Sequence, residues 1–304
     1  MQGVVNFMKP PGMSSAQAVA FIKRLSGLKA GHAGTLDPEA AGVLPILLGR
    51  ATRISDYLMA GRKVYLAEIA FGQATDTQDA QGKVTVRGSR FPDAENLFSV
   101  LPRFTGAISQ IPPQYSALKS DGKPAYKLAR EGRHAALEPR KAEVHRIVII
   151  REMPSHSFLL RVTCGKGTYI RTLCHDIGVA LGCPAHMRLL IREESAGQKI
   201  VDSVTPEELR QAGKEALAQW IIPTDRALVY LPRMDAPVSL THLLAGGVRV
   251  ASDDPRLNGR FVPQGPFRLY AGNAFVGIFE LFGGSLRART MLYQPVEGPN
   301  RADS

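Results

Sequence analysis

The sequence predicts an α+β protein, a large N-terminal part followed by a small β-rich module. Three observations predict it. Strand and helix signals intermix over residues 1–232. Residues 143–150 and 157–164 read as one antiparallel pair, because Phe158, Leu160, Val162 and Cys164 alternate with residues for the opposite face. After Tyr230-Leu231-Pro232 the chain turns to short apolar runs punctuated by Gly and Asn.

Each element has its own signal. Residues 4–8 are an apolar run stopped by the rigid turn Lys9-Pro10-Pro11-Gly12, and read as a strand. Ser14-Ser15 cap a helix running to about Leu25, with Ala18, Val19, Ile22 and Leu25 on one face. Residues 30–42, rich in Gly, Ala and Pro, carry no periodic element. Residues 43–48 read as a buried strand, 52–59 as a helix and 63–71 as a strand. Residues 75–82 are turn-forming, and 83–87 can pair back as a hairpin strand. Helix signals return at 92–101. Residues 111–123 read as an extended loop, and 124–131 as a short basic helix with Pro at its start. Thr168 opens a helix with Ile170, Leu173, Cys174, Ile177 and Leu181 at core spacing, and Gly182 closes it. Residues 186–192 are a further strand, and Thr205-Pro206-Glu207-Glu208 starts a helix. The module at 233–304 holds a short helix at 239–244 and strands at 267–270, 274–281 and 286–292.

Composition narrows the function classes. The chain has 304 residues, 44% hydrophobic and 21% charged, which suits a folded protein with a sizeable core. No apolar run approaches the ~18 residues of a membrane span, and no basic stretch precedes an apolar block at the start, so no secretory signal is expected. Lys and Arg total 38 against 27 Asp and Glu, a surplus of +11 that suits a polyanionic partner, though charge alone fits a generically soluble basic protein equally well. Cys164, Cys174 and Cys183 form no CxxC pair and read as reduced thiols of a cytoplasmic protein.

Gly31-His32-Ala33-Gly34-Thr35-Leu36-Asp37-Pro38-Glu39-Ala40-Ala41-Gly42 is the most unusual segment. Its glycines let backbone approach a ligand, and Asp37 offers a nucleophile or base. Spacing alone favours a plainer reading, in which Asp37 caps a helix and Pro38 is its first residue. Cys164-Gly165-Lys166-Gly167-Thr168 fails the Walker pattern, with Leu160 and Gly167 where Gly and Ser or Thr are needed. A Gly-rich turn into a helix can still hold one phosphate. Tyr169 and Arg171 stand off that helix's core stripe, so Arg171 is free to pair with a carboxylate; the alternative is a solvated helix start. No zinc spacing is met, so no metal is expected. Between Tyr115 and Arg146 there are eight basic residues, Lys119, Lys123, Lys127 and Arg130 among them, against four acidic ones. With Tyr115 and Tyr126 interleaved, the patch suits RNA better than a solvated face does.

The loop around Asp37 also resembles the signature loop of the TruB-type tRNA pseudouridine-55 synthases. So do Lys9-Pro10-Pro11-Gly12-Met13-Ser14-Ser15, Arg62-Lys63-Val64-Tyr65, Gly72-Gln73-Ala74-Thr75-Asp76-Thr77-Gln78-Asp79, Pro112-Pro113-Gln114-Tyr115-Ser116-Ala117-Leu118-Lys119 and Gly165-Lys166-Gly167-Thr168-Tyr169-Ile170-Arg171. These motifs stand in the family's order from residue 3 to about 195. The resemblance implies a mixed, mainly antiparallel sheet flanked by helices and loops. The C-terminal module is similar to the family's PUA-like RNA-binding domain only in position and β character.

The resemblance further implies isomerisation of a T-loop uridine of tRNA to pseudouridine, with the base flipped out and no cofactor or metal. Asp37 matches the catalytic aspartate, Arg171 the arginine paired with it, and Tyr169 a tyrosine suited to taking the C5 proton. Tyr65 matches the residue that stacks on the target base, His32 the one that helps move it, and Leu190 an apolar contact. Lys9, Tyr115, Lys119, Lys123, Lys127 and Arg130 are expected to contact RNA, the last five within an insertion at about 111–135 that clamps the T arm. Ile191 and Arg192 stand where the family usually has two basic residues, so altered phosphate contact is expected there. A monomer with tRNA as partner, no obligate protein partner and no membrane contact is implied. Two other readings stand beside it: a guide-RNA-dependent enzyme of the dyskerin type, against which the short N-terminus argues, and an RNA-folding helper with no required catalysis.

Overall fold

The computed structural model describes residues 2–116, 118–120, 123–133 and 135–293. The side chains of Lys119, Ser120, Pro124, Arg130 and Lys214 lie outside that description.

The fold is α+β. A ten-stranded sheet runs in the order Ile221–Ile222, Gly3–Lys9, Ala41–Leu48, Ala185–Ser195, Lys63–Phe71, Ser157–Cys164, Arg140–Met153, Gly106–Gln110, with Ala30–His32 and Gln198–Lys199 attached at its side. Every pairing in it is antiparallel except that of Ala41–Leu48 with Ala185–Ser195, where Ile191 faces Ala41 and Arg192 faces Gly42. Gly42 permits this parallel contact. Its φ is +109°, and a Cβ there would lie 2.3 Å from the Arg192 carbonyl oxygen. The closeness that the glycines offer is used here by the protein's own backbone.

Helices Ser15–Ser26, Ile170–Ala180 and Pro206–Ala216 supply Ala18, Ile22, Ile170, Leu173, Cys174, Ile177 and Leu209 to the core that also holds Phe7, Leu44, Tyr65, Ala67, Ile69, Leu160 and Val162. The first helix starts where its capping box stands. Ser14 Oγ accepts from the Gln17 N–H, and Gln17 returns the bond to the Ser14 N–H. Gly27, in the left-handed region at φ 71°, ends it.

Arg233–Ala236, Phe267–Ala271, Ala274–Phe282, Ser285–Met291 and Val250–Ala251 build a separate five-stranded sheet with its own core around Met234, Leu240, Phe267, Leu269 and Phe279. This C-terminal region docks on the first through Ile278 and Leu292, which pack with Leu47, Ile54 and Leu58. Arg50 and Arg53 donate to the carbonyls of Tyr293 and Met291 across the same seam.

Several expectations need correction. No helix follows Asp37: Pro38 and Glu39 form a turn and the next strand begins at Ala41, so the capping reading fails. Residues 30–42 contribute the short strand Ala30–His32. The expected helix at 52–59 is a 3₁₀ segment, Gly49–Ile54, followed by Ser55–Ala60. Arg171 is not a solvated helix start; it is 5% exposed. The three cysteines are buried and unpaired, and burial pushes Cys164 to about 11 and Cys174 to about 12, so neither is a thiolate at neutral pH.

Candidate active site

Asp37 and Arg171 meet as a two-pronged pair. Arg171 Nε lies 2.8 Å from Asp37 Oδ2, and its Nη2 donates to Oδ1 at 3.1 Å. The other donors of the guanidinium are also engaged. Nη1 reaches the Thr77 carbonyl at 3.2 Å and lies 3.9 Å from Asp79 Oδ2; Nη2 also reaches the Tyr115 carbonyl at 3.1 Å. One buried cation therefore joins three segments, the loop at 33–40, the turn at 75–82 and the start of the 111–135 segment. The Asp37 side chain remains 36% exposed, so its carboxylate is aimed by the pair while one side faces the cleft.

Three buried contacts fix the loop that carries Asp37. Ser15 Oγ accepts from the Leu36 N–H at 2.9 Å and donates to its carbonyl at 3.0 Å. Arg192, 1% exposed, donates from Nε to the Val43 carbonyl at 2.7 Å and from Nη2 to the Gly34 carbonyl at 3.1 Å. Lys9 is fully buried, and its ammonium donates to the carbonyls of Pro10, Met13 and Pro38 at 2.9, 2.6 and 2.9 Å. One expectation is thereby corrected: Lys9 lies beneath the loop and spends its donors on backbone carbonyls, so it is not placed to contact RNA. Arg192 stands in the cleft wall and donates to the backbone beside Asp37.

Burial lowers Lys9 to about 8, against a partly compensating pull from Glu39 and Asp37. Between about 8 and its ordinary 10.5, native Lys9 holds fewer protons than the unfolded chain. Unfolding then takes up protons, so stability rises with pH across that window. Lys9→Met is expected to lose this term, which amounts to at most ~1.4 kcal/mol per pH unit. It is also expected to cost about 2 kcal/mol at pH 7, where three carbonyls lose a donor. Denaturant melts of wild type and variant from pH 7 to 9 check both; parallel slopes above pH 8 would show that Lys9 does not titrate there.

The Asp37–Arg171 pair opens into a cleft of about 720 Å³. Tyr65, Leu190, Tyr115, Ser116 and Tyr169 line it, and Arg140, Lys141 and Lys166 stand exposed around it. Tyr65 reaches it from Lys63–Phe71, where it pairs with Val162 on one side and Arg192 on the other. Burial raises both phenols, at Tyr65 and Tyr169, so each is a neutral O–H near pH 7.

The structure thus gathers Asp37, Tyr169, Arg171, Tyr65, Leu190 and Tyr115 into one cleft. It does not bring in His32, which is absent from the cleft wall and whose buried Nδ1 has no partner. Lys123 and Lys127 are exposed on the segment beyond Tyr115, outside the cleft wall. Lys119 and Arg130 have side chains outside the described residues. That segment is closed at its root by Gln114, whose amide accepts from the Ala135 N–H at 2.8 Å and donates to its carbonyl at 3.1 Å. Sequence reasoning missed Gln110 and the clamp made by Arg192. For Arg192 no local signal was available, since its strand Ala185–Ser195 also carries His186, Arg188, Glu193 and Glu194. Among the described residues no group of three or more His, Cys, Asp or Glu could hold a metal, and no helix is long and apolar enough to cross a membrane.

The family model described as "TruB family pseudouridylate synthase (N terminal domain)" matches residues 22–170, and "tRNA pseudouridylate synthase B C-terminal domain" matches 171–229. A protein of Pelotomaculum thermopropionicum named tRNA pseudouridine synthase B is 44% identical, covering 82% of this chain and 81% of its own. The chain belongs to the TruB family of pseudouridylate synthases. Family membership makes it an isomerase. A second relative of the same name, from Azoarcus sp., is 39% identical over 96% of this chain and 95% of its own. Among solved structures, the fold is similar to one in a Cbf5-Nop10-Gar1 complex, with a TM-score of 0.74, 27% identity and coverage of 95% of this chain and 84% of that one. An H/ACA RNP bound to a substrate RNA containing 2′-deoxyuridine gives 0.73 and 25%, covering 97% and 86%.

Proposed function

We propose that this protein converts the uridine at position 55, in the T loop of tRNA, to pseudouridine, with Asp37 as the catalytic group. The observation that carries the reading is the Asp37–Arg171 pair at 2.8 and 3.1 Å, facing a cleft lined by Tyr65, Tyr169 and Leu190. The reaction breaks the bond from C1′ to N1 and makes one from C1′ to C5; N1 gains a proton and C5 loses one, so the composition is unchanged. An oxygen of Asp37 is the group aimed at the ribose. Attack on C1′ and removal of the 2′ proton would both use that ionised oxygen. Tyr65 offers a flat face for the extruded base, and stacking there offsets part of the few kcal/mol that flipping costs. Tyr169, a neutral phenol, takes the C5 proton as it releases its own to water, and water returns one to N1.

The substrate class follows from charge. Arg140, Lys141 and Lys166 around the cleft, with Lys123 and Lys127 beyond it, suit a folded RNA arm read through its phosphates. Lys123→Ala and Lys127→Ala are each expected to lower the salt slope of tRNA binding by about one. Titrations at several salt concentrations measure this, and an unchanged slope would remove them from the phosphate contacts. The C-terminal sheet serves as a further RNA-binding domain, and the enzyme works as a monomer in the cytoplasm without cofactor or protein partner.

Pseudouridine mapping in a T-arm stem-loop incubated with the purified chain alone is the deciding experiment. Modification of the T-loop uridine is expected. A requirement for added guide RNA would replace the reading with the guide-dependent one. Binding without product would leave an RNA-folding helper.

A further inference from the structure

Gln110 is 3% exposed, ends the strand Gly106–Gln110, and faces Arg140 in register. Its side-chain amide is spent on one residue's backbone. Oε1 accepts from the Tyr169 N–H at 3.0 Å, and Nε2 donates to the Tyr169 carbonyl at 3.1 Å. That carbonyl also receives the Leu173 N–H at 3.0 Å, the first turn of the helix Ile170–Ala180. Tyr169 is the N-cap of this helix and makes no capping bond with its own side chain. Tyrosine is not among the residues that hold a helix start by themselves. The conformation that sends one side chain of the turn into the cleft and the next-but-one toward Asp37 is therefore held from outside the helix.

We propose that Gln110 is a positioning residue for the reaction: its amide fixes the Tyr169 backbone, and so sets the Tyr169 phenol and the Arg171 guanidinium against Asp37. The proposal rests on the function proposed above. The same stretch of chain acts twice. Five residues after Gln110, the Tyr115 carbonyl accepts from Arg171 Nη2 at 3.1 Å, so the root of the 111–135 segment grips both residues of the turn. A side-chain amide suits the task because it presents one donor and one acceptor side by side, matching the acceptor and donor of the backbone. Methionine, of similar length, presents neither.

The test uses the full chain and a T-arm RNA tritiated at C5 of the target uridine, which releases its label when that carbon loses its hydrogen. Single-turnover rate and RNA affinity are measured for wild type, Gln110→Met and Gln110→Glu. Gln110→Met is expected to slow the bound reaction about 10–100-fold, with affinity within about threefold. Gln110→Glu supplies a readout that simple space-filling does not move. Protonated, its carboxyl group offers one donor and one acceptor, as the amide does; ionised, it turns a second acceptor on the Tyr169 carbonyl. Its rate relative to wild type at the same pH is expected to rise about tenfold as pH falls through the carboxyl pKa. A wild-type rate for Gln110→Met, a loss confined to affinity, or a Gln110→Glu ratio flat in pH would each overturn the proposal. Asp37→Asn run in parallel separates the two ideas. If it still turns over, the assignment of the catalytic group fails; if it is dead while both Gln110 variants behave as wild type, only the role of Gln110 fails.

Discussion

Asp37→Asn is expected to abolish pseudouridine formation, with a rate loss of at least about 10⁴-fold, while tRNA affinity stays within a few fold. The substitution keeps the shape and part of the hydrogen bonding. The amide that replaces the carboxylate would still offer one oxygen to Arg171, but its nitrogen would face a second guanidinium donor, where Asp37 now accepts at both oxygens. The larger loss is chemical, because a neutral amide neither attacks C1′ nor removes the 2′ proton. Affinity is spared because it comes from cations arranged around the cleft, which the substitution leaves in place. Fluorescence titration for binding and label release for chemistry separate the two quantities. Turnover at the normal rate would mean that another group does the work.

The sequence made the framework legible where local signals were strong. The strand Lys63–Phe71 was expected with those bounds, and Ser157–Cys164 by its alternation. The strands Gly106–Gln110 and Arg233–Ala236 were not anticipated, because runs of only four or five residues carry too little pattern of their own and become strands through their partners, Arg140–Met153 and Phe267–Ala271. The site shows the same division. Asp37 was visible as an acid in an unusual Gly-rich loop, but spacing alone favoured a helix cap. What decides against the cap is non-local: Lys9, Ser15 and Arg192 hold the loop's backbone, the last from 149 positions further along the chain than Val43. The resemblance assigned Lys9 to RNA, and buried backbone carbonyls are its actual partners.

Arg171 carries the second large effect, one that falls on stability as well as rate. Arg171→Met is expected to destabilise the fold by about 3 kcal/mol, the lower end for breaking a buried pair, because Asp37 keeps partial contact with solvent. For a chain of this size that corresponds to a melting point lower by roughly 5 °C. Four partners lose the same cation: Asp37, Asp79 and the carbonyls of Thr77 and Tyr115. Arg171→Lys retains the charge and is expected to recover much of the stability. It is not expected to recover the rate, which should remain about 10²–10³-fold below wild type. An ammonium is a compact donor that cannot span both oxygens of Asp37 while also reaching Thr77 and Tyr115. The carboxylate would keep its counter-charge and lose its fixed direction. Thermal melts and single-turnover rates on the two variants therefore part company. If Arg171→Lys restored both together, charge alone would suffice, and the two-pronged geometry would have no role in aiming Asp37 at the ribose.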